Sequence, residues 1–265
     1  MAATVGALAI HVLATAEPGA KAGAAQELAE AWRAGRLVMG GAERPPQRPA
    51  RPGRPVLARP GDMPKRRALT TVAARVALLH ALAHIEFNAI DLAADIVARF
   101  PGQPAAFHGD WITVAADEAR HFLMLRGRLG ELGADYGDLP AHDGLWQAAA
   151  DTADDLLARL AVVPMVLEAR GLDVTPAMIA RLNKAGDRRS ADILEVIYRE
   201  EIAHVAAGSR WFAAECARRD LAPAATWRRL VHERFKGGLK PPFNEAARQA
   251  AGMGRELYAD VGVMR

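Results

Sequence analysis

Cysteine is almost absent: Cys216 is the one thiol in 265 residues. A single cysteine excludes an internal disulfide, a cysteine-only zinc site and a rubredoxin-type iron centre, and it suits a reducing cytoplasm. Aromatic residues are also scarce, at 6% against 51% hydrophobic residues, so the core has to be built by close packing of Ala and Leu. No stretch reaches the roughly 18 uninterrupted apolar residues of a membrane span. The apolar segment Val5–Leu13 lacks a basic leader and is interrupted by His11, so it reads as a helix and not a signal peptide. Neither sign of charge dominates; the formal net charge is +3, which by itself selects no partner.

Proline is confined largely to one region. Residues 1–34 read as two short helices separated near Glu17-Pro18-Gly19, with Leu28 and Trp32 at i, i+4 spacing for packing on a larger body. Between Gly35 and Pro64, the prolines 45, 46, 49, 52, 55, 60 and 64 forbid a continuous helix. Arg44, Arg48, Arg51, Arg54, Arg59, Lys65, Arg66 and Arg67 face only Glu43 and Asp62 there. The simpler reading of this basic arm (43–67) is a strap along the protein or a contact in a homo-oligomer. Binding of RNA or an acidic partner is the alternative.

Four long helical patterns follow. The first runs from Leu69 to about Phe100, with Leu79, Ala83, Glu86, Ile90, Ala93 and Val97 on one stripe. The second, about Pro104 to Leu132, turns Trp111, Val114, Glu118, His121, Phe122, Leu125 and Leu129 inward. The third is expected from about Asp143 to Gly171, kinked by Pro164 one turn before Glu168, with a short helix restarting at Asp173. The fourth, about Arg188 to Arg219, carries Glu201 and His204. Two helical pieces, Pro223–Phe235 and Asn244–Asp260, flank a loop (236–242) able to fold back. The expected organisation is an N-terminal helical and basic arm (1–66), a four-helix bundle (67–222) and a C-terminal helical extension (223–265).

Chemistry concentrates in two motifs, Glu118-Ala-Arg-His121 and Glu201-Ile-Ala-His204. On a helix, Glu and His three apart share one face. Of eight histidines, only these two follow a Glu at that distance. Each motif is preceded by a helix with its own inward Glu, Glu86 or Glu168, at separations of 32 residues (86 to 118) and 33 (168 to 201). A carboxylate inside an apolar stripe is costly unless paired or metal-bound. Four Glu and two His from four helices form the ligand set of a dinuclear metal site. Four carboxylates would neutralise two divalent ions, with Glu118 and Glu201 bridging, Glu86 and Glu168 terminal, and one imidazole per metal. Iron is the expected ion, with manganese or a mixed Mn/Fe pair as alternatives. Asp117 and Glu200 are candidates to orient the histidines. Tyr198, one turn before Glu201, is a candidate redox or hydrogen-bonding group, though a core tyrosine is the simpler reading. His80 and His84 point away from Glu86 and read as surface or packing residues.

These motifs, with His84-Ile85-Glu86 and Ala89-Ile90-Asp91-Leu92-Ala93, resemble an uncharacterised bacterial family in the ferritin-like superfamily of di-iron and di-manganese carboxylate proteins. The resemblance covers about residues 65–240. It implies an all-α, ferritin-like four-helix bundle with two metals and no established substrate. A related branch contains tRNA-modifying monooxygenases. The leading expectation is therefore a cytoplasmic di-iron oxidoreductase activating O₂ or peroxide, acting on a small molecule or tRNA. It would draw electrons from a separate reductase, because Cys216 cannot hold an iron–sulfur centre. The alternatives are ferroxidase, peroxide-detoxifying or di-manganese catalase chemistry without an organic substrate, and RNA binding or assembly through the arm.

Overall fold

The computed structural model describes residues 3–41, 44–59 and 69–259. Among these the secondary structure is helical; the only β-type pairings are the isolated bridges Thr4–Val38 and Leu57–Ala141. The chain divides into two compact units, Met1–Trp146 and Gln147–Arg265.

In the first unit, α1 (Val5–Ala14) and α2 (Pro18–Arg33) are the two expected short helices. Their boundary follows from Glu17, whose carboxylate accepts from the Gly19 and Ala20 amides and caps α2, with Pro18 at its first position. The long pair α3 (Val72–Arg99) and α4 (Ala105–Glu131) is joined by residues 100–104. Thr71 caps α3 through the Ala74 amide, so that helix starts three residues later than its apolar pattern suggests. All six stripe residues of α3 and all seven inward residues of α4 are buried. Trp32 lies over Gly109 of α4, where a Cβ would meet its Nε1 at 3.1 Å. Leu28 is buried as expected. Helix α3 is long and apolar enough to cross a membrane by composition, but 78% of its apolar window is buried inside the protein.

The described part of the arm lies on this unit as an extended strap. Ala50 N–H donates to Leu13 O, Ala58 N–H to Ala141 O, and Ala141 N–H to Val56 O. Arg51 donates to Asp91 and Asn88 at 2.6 Å each and covers the Phe87 ring, and Arg48 pairs with Asp143. Asp91 also receives the ammonium of Lys21, and both side chains are fully buried. Two arginines of the arm are thus used to neutralise carboxylates of its own unit. Glu43, Pro60, Asp62, Pro64, Lys65, Arg66 and Arg67 lie outside the described residues.

The second unit departs from the expected helix boundaries. The third helical pattern is broken at 151–155, between α5 (Gly144–Ala150) and α6 (Leu156–Val162), and not at Asp173. From α6 the chain passes through a π-helical turn (Val163–Glu168) directly into α7 (Ala169–Lys184). The expected kink at Pro164 takes the form of that wider turn, which accommodates a residue lacking the N–H for an i−4 bond. Across from it, Gly208 packs so closely that a Cβ would come within 2.4 Å of Pro164 Cβ. Pro176 sits inside α7 without ending it. The carbonyl it leaves without an intrahelical donor, Leu172 O, accepts from Asn244 Nδ2 at 3.1 Å. Helix α8 (Arg188–Arg218) and α9 (Pro223–Arg234) match their expected ranges within a residue. The last piece is two short helices, α10 (Glu245–Ala250) and α11 (Arg255–Tyr258). Gly252 at φ +72° turns the chain between them.

Candidate metal centre

The turn at 100–104 brings Glu86 of α3 level with Glu118 and His121 of α4, since 86 and 118 are both 16 residues from Gly102. His121 Nδ1 lies 3.4 Å from Glu86 Oε2 and 3.5 Å from Glu118 Oε2, with all three side chains buried. Their ligand atoms lie within 4.8 Å of one another. In the second unit, α7 and α8 are joined by the short turn 185–187, which puts Glu168 and Glu201 near the same level. His204 Nδ1 lies 3.5 Å from Glu201 Oε1, so the second Glu-x-x-His pair repeats the geometry of the first. Glu168 ends the π-helical turn.

Desolvation by burial is the main reason the Glu86 carboxyl is raised well above its usual range, and the neighbouring Glu118 charge adds to it. Burial works against a charged imidazole at His121, but hydrogen bonding and charge from Glu118 and Glu86 reverse it and push the pKa up to about 11. Two carboxylates crowded in a dry interior therefore require a positive partner. Two atoms bound to one ion at about 2.1 Å lie about 3.0–3.4 Å apart for angles between right and tetrahedral. The observed 3.4 and 3.5 Å separations suit that placement, and oxygen plus imidazole nitrogen is a donor set for iron, manganese or zinc. The cluster fits a metal ion.

Asp117 accepts from Arg120 at 3.0 Å. Tyr198 Oη accepts from Asn244 Nδ2 at 2.9 Å, which ties it to the C-terminal segment. His80 and His84 are buried packing residues of α3. His80 Nε2 accepts from the Gly137 and Leu139 amides, and His84 Nδ1 bonds Tyr136 Oη at 2.9 Å. Burial holds His84 down to about 4. Sequence reading passed over Lys21 and Asp91 as a buried pair. The only hint was a lysine in an Ala-rich helix and an aspartate in an apolar stripe, neither of which names its partner.

Fold and site together define an all-α protein with a buried carboxylate–histidine cluster able to hold metal. Residues 14–259 match the family model described as "Protein of unknown function (DUF455)", and the chain belongs to that family. A relative described as an uncharacterized protein from Haemophilus influenzae is 41% identical over 208 residues, covering 76% of this chain and 72% of its own. No solved structure matches significantly.

Proposed function

We propose that the two Glu/Glu-x-x-His sets face each other in a ferritin-like four-helix arrangement and hold two metal ions, iron first, in a cytoplasmic oxidoreductase that activates O₂ or peroxide. The observation that carries this reading is the buried trio Glu86, Glu118 and His121, with ligand atoms within 4.8 Å. The matched Glu201–His204 pair at 3.5 Å supports a second half of the same kind. When bound, the metals would supply the electron transfer and Lewis acidity that no protein side chain offers. The chain's part is to hold the donors in a dry interior and to neutralise two dications with four carboxylates. It also keeps each imidazole on the same helix face as its motif carboxylate. Oxidation of an organic substrate, a small molecule or tRNA, would require an external reductase.

The test begins with metal analysis of protein purified from its native host. Two ions per chain are expected, falling below one in Glu118→Gln and His121→Ala. Protein loaded anaerobically with ferrous iron should then consume O₂ or peroxide. Absence of consumption with two irons bound would remove the redox reading and leave a structural metal site. Consumption without any organic substrate, in a 12- or 24-subunit particle by size-exclusion chromatography, would favour iron oxidation and storage.

A further inference from the structure

The second unit contains a cavity of about 210 Å³ lined by Val166, Leu167, Phe235, Leu239 and Phe243, together with Arg170, Asp173, Lys240 and Arg248. Its size is below the ~300–1,000 Å³ of drug-sized pockets, which restricts it to a small molecule. Three of its charged residues are cations and one is an anion. Asp173 is already saturated: Oδ1 accepts from the Asn244 amide and Arg248 Nε, and Oδ2 from Arg248 Nη2 at 2.7 Å. Arg170 Nη1 also reaches Oδ2 at 3.5 Å, and one carboxylate against three cations leaves the lining with a net positive charge.

Arg248 is the informative residue. It is 1% exposed and stacked between Phe243 and Tyr258, its guanidinium carbon 4.9 and 4.8 Å from the two ring centroids. Its Nε and Nη2 are committed to Asp173, but Nη1 is buried and has no hydrogen-bond partner among the described residues. That nitrogen is closed off from the cavity, so Arg248 serves to hold the wall in place through Asp173, Phe243 and Tyr258. Arg170 donates to the carbonyls of Lys240 (2.7 Å) and Pro242 (3.2 Å), which folds the 236–242 loop over α7 and closes the cavity wall. The geometry points to a binding site for a small organic carboxylate. The carboxylate would be taken by Arg170 and Lys240, and an apolar body by the Phe243, Leu239 and Val166 side. The assignment does not depend on metals being bound.

Benzoate is the probe, titrated into the full-length, as-purified chain by calorimetry and by protein-observed NMR. Saturable 1:1 binding is expected, at least tenfold tighter than for benzyl alcohol, which has the same ring without the charge. Binding should weaken at least fivefold in Arg170→Gln and in Lys240→Gln, and should be lost in Leu239→Trp, which fills the cavity. Glu118→Gln should bind benzoate as the unaltered chain does, which separates this site from direct ligation to a metal. Equal affinity for benzyl alcohol would overturn the proposal. So would binding insensitive to Arg170→Gln and Leu239→Trp, binding lost in Glu118→Gln, or no benzoate binding at 10 mM. Inorganic phosphate binding as tightly as benzoate would remove the apolar part of the assignment and overturn the ligand class.

Discussion

Asn244 Nδ2 donates to Leu172 O, the carbonyl that Pro176 deprives of its helical donor, and the same amide nitrogen reaches Tyr198 Oη at 2.9 Å. The Asn244 side-chain oxygen caps α10 through the Ala247 amide. One side chain thus repairs α7, holds α8 and starts α10. Asn244→Ala removes all three bonds and leaves Leu172 O without this donor. A loss of about 2–3 kcal/mol is expected, from about 1 kcal/mol per bond with the cap contributing a similar amount. Urea unfolding would read it, and Pro176→Ala in the same background should recover part of the loss.

The buried charges under the arm make the second prediction. Asp91 receives Lys21 and Arg51, and Arg51 lies on the strap. Asp91→Asn leaves two cations facing a neutral amide, Lys21 fully buried among them. Breaking a buried pair by removing one partner costs about 3–5 kcal/mol. Limited proteolysis within 44–59 should accelerate together with the fall in melting temperature. If the strap stays equally resistant while stability drops, Arg51 does not hold it down.

Acid should weaken the first unit through His80. Burial lowers its pKa below the usual 6.5, and its Nε2 must stay unprotonated to accept from Gly137 and Leu139. Below pH 6.5 the unfolded chain binds the proton first, so stability is full above that value and falls as pH drops through the window beneath it. The slope from one such group is at most about 1.4 kcal/mol per pH unit. His84 and His108 are lowered as well and act in the same direction. His80→Gln keeps an acceptor without titrating, so the variant should show a shallower loss of melting temperature between pH 6.5 and 5.

At the metal centre, metal-free stability and metal binding should respond to different degrees. In chelator-treated protein, Glu118→Gln removes a negative charge next to Glu86, whose carboxyl is raised by burial and by Glu118. The same change takes a partner from the His121 imidazole, so the two effects oppose each other and the metal-free melting temperature should move little. With ferrous or manganous ion added at a hundred times the dissociation constant, the unaltered chain should gain about 2.7 kcal/mol, and Glu118→Gln much less. Differential scanning calorimetry with and without metal reads both changes. A variant that loses stability equally in both conditions would mean that Glu118 is structural.

Much of the helical pattern was readable because it depends on local periodicity. The stripes through Glu86 and through Glu118–His121 are short-range patterns with a 3.6-residue repeat, and each of those residues is buried where the repeat puts it. The caps at Glu17 and Thr71 are equally local. The restart expected at Asp173, just before Pro176, was misleading for the opposite reason. A proline taken with its neighbours predicts a break, but the donor that lets the helix continue comes from Asn244, dozens of positions away. Pro164 was half-legible: a disturbance there follows from its missing N–H, while its form as a π-helical turn, with Gly208 packed against it, is seen only in the fold.

The arm shows the same division. Its prolines and arginines establish an extended basic segment and say nothing about where the charge goes. The answer lies in Asp91, Asn88 and Asp143, carboxylates and an amide that look unremarkable in their own helices. The sequence by itself determined the long helices α3, α4 and α8, the inward faces of α3 and α4 and the Glu-x-x-His spacing, because those follow from backbone geometry within a few residues. Only the tertiary structure decided which buried charges meet, which proline is tolerated and which guanidinium nitrogen is left unmatched beside a cavity, because those depend on groups brought together across long stretches of chain.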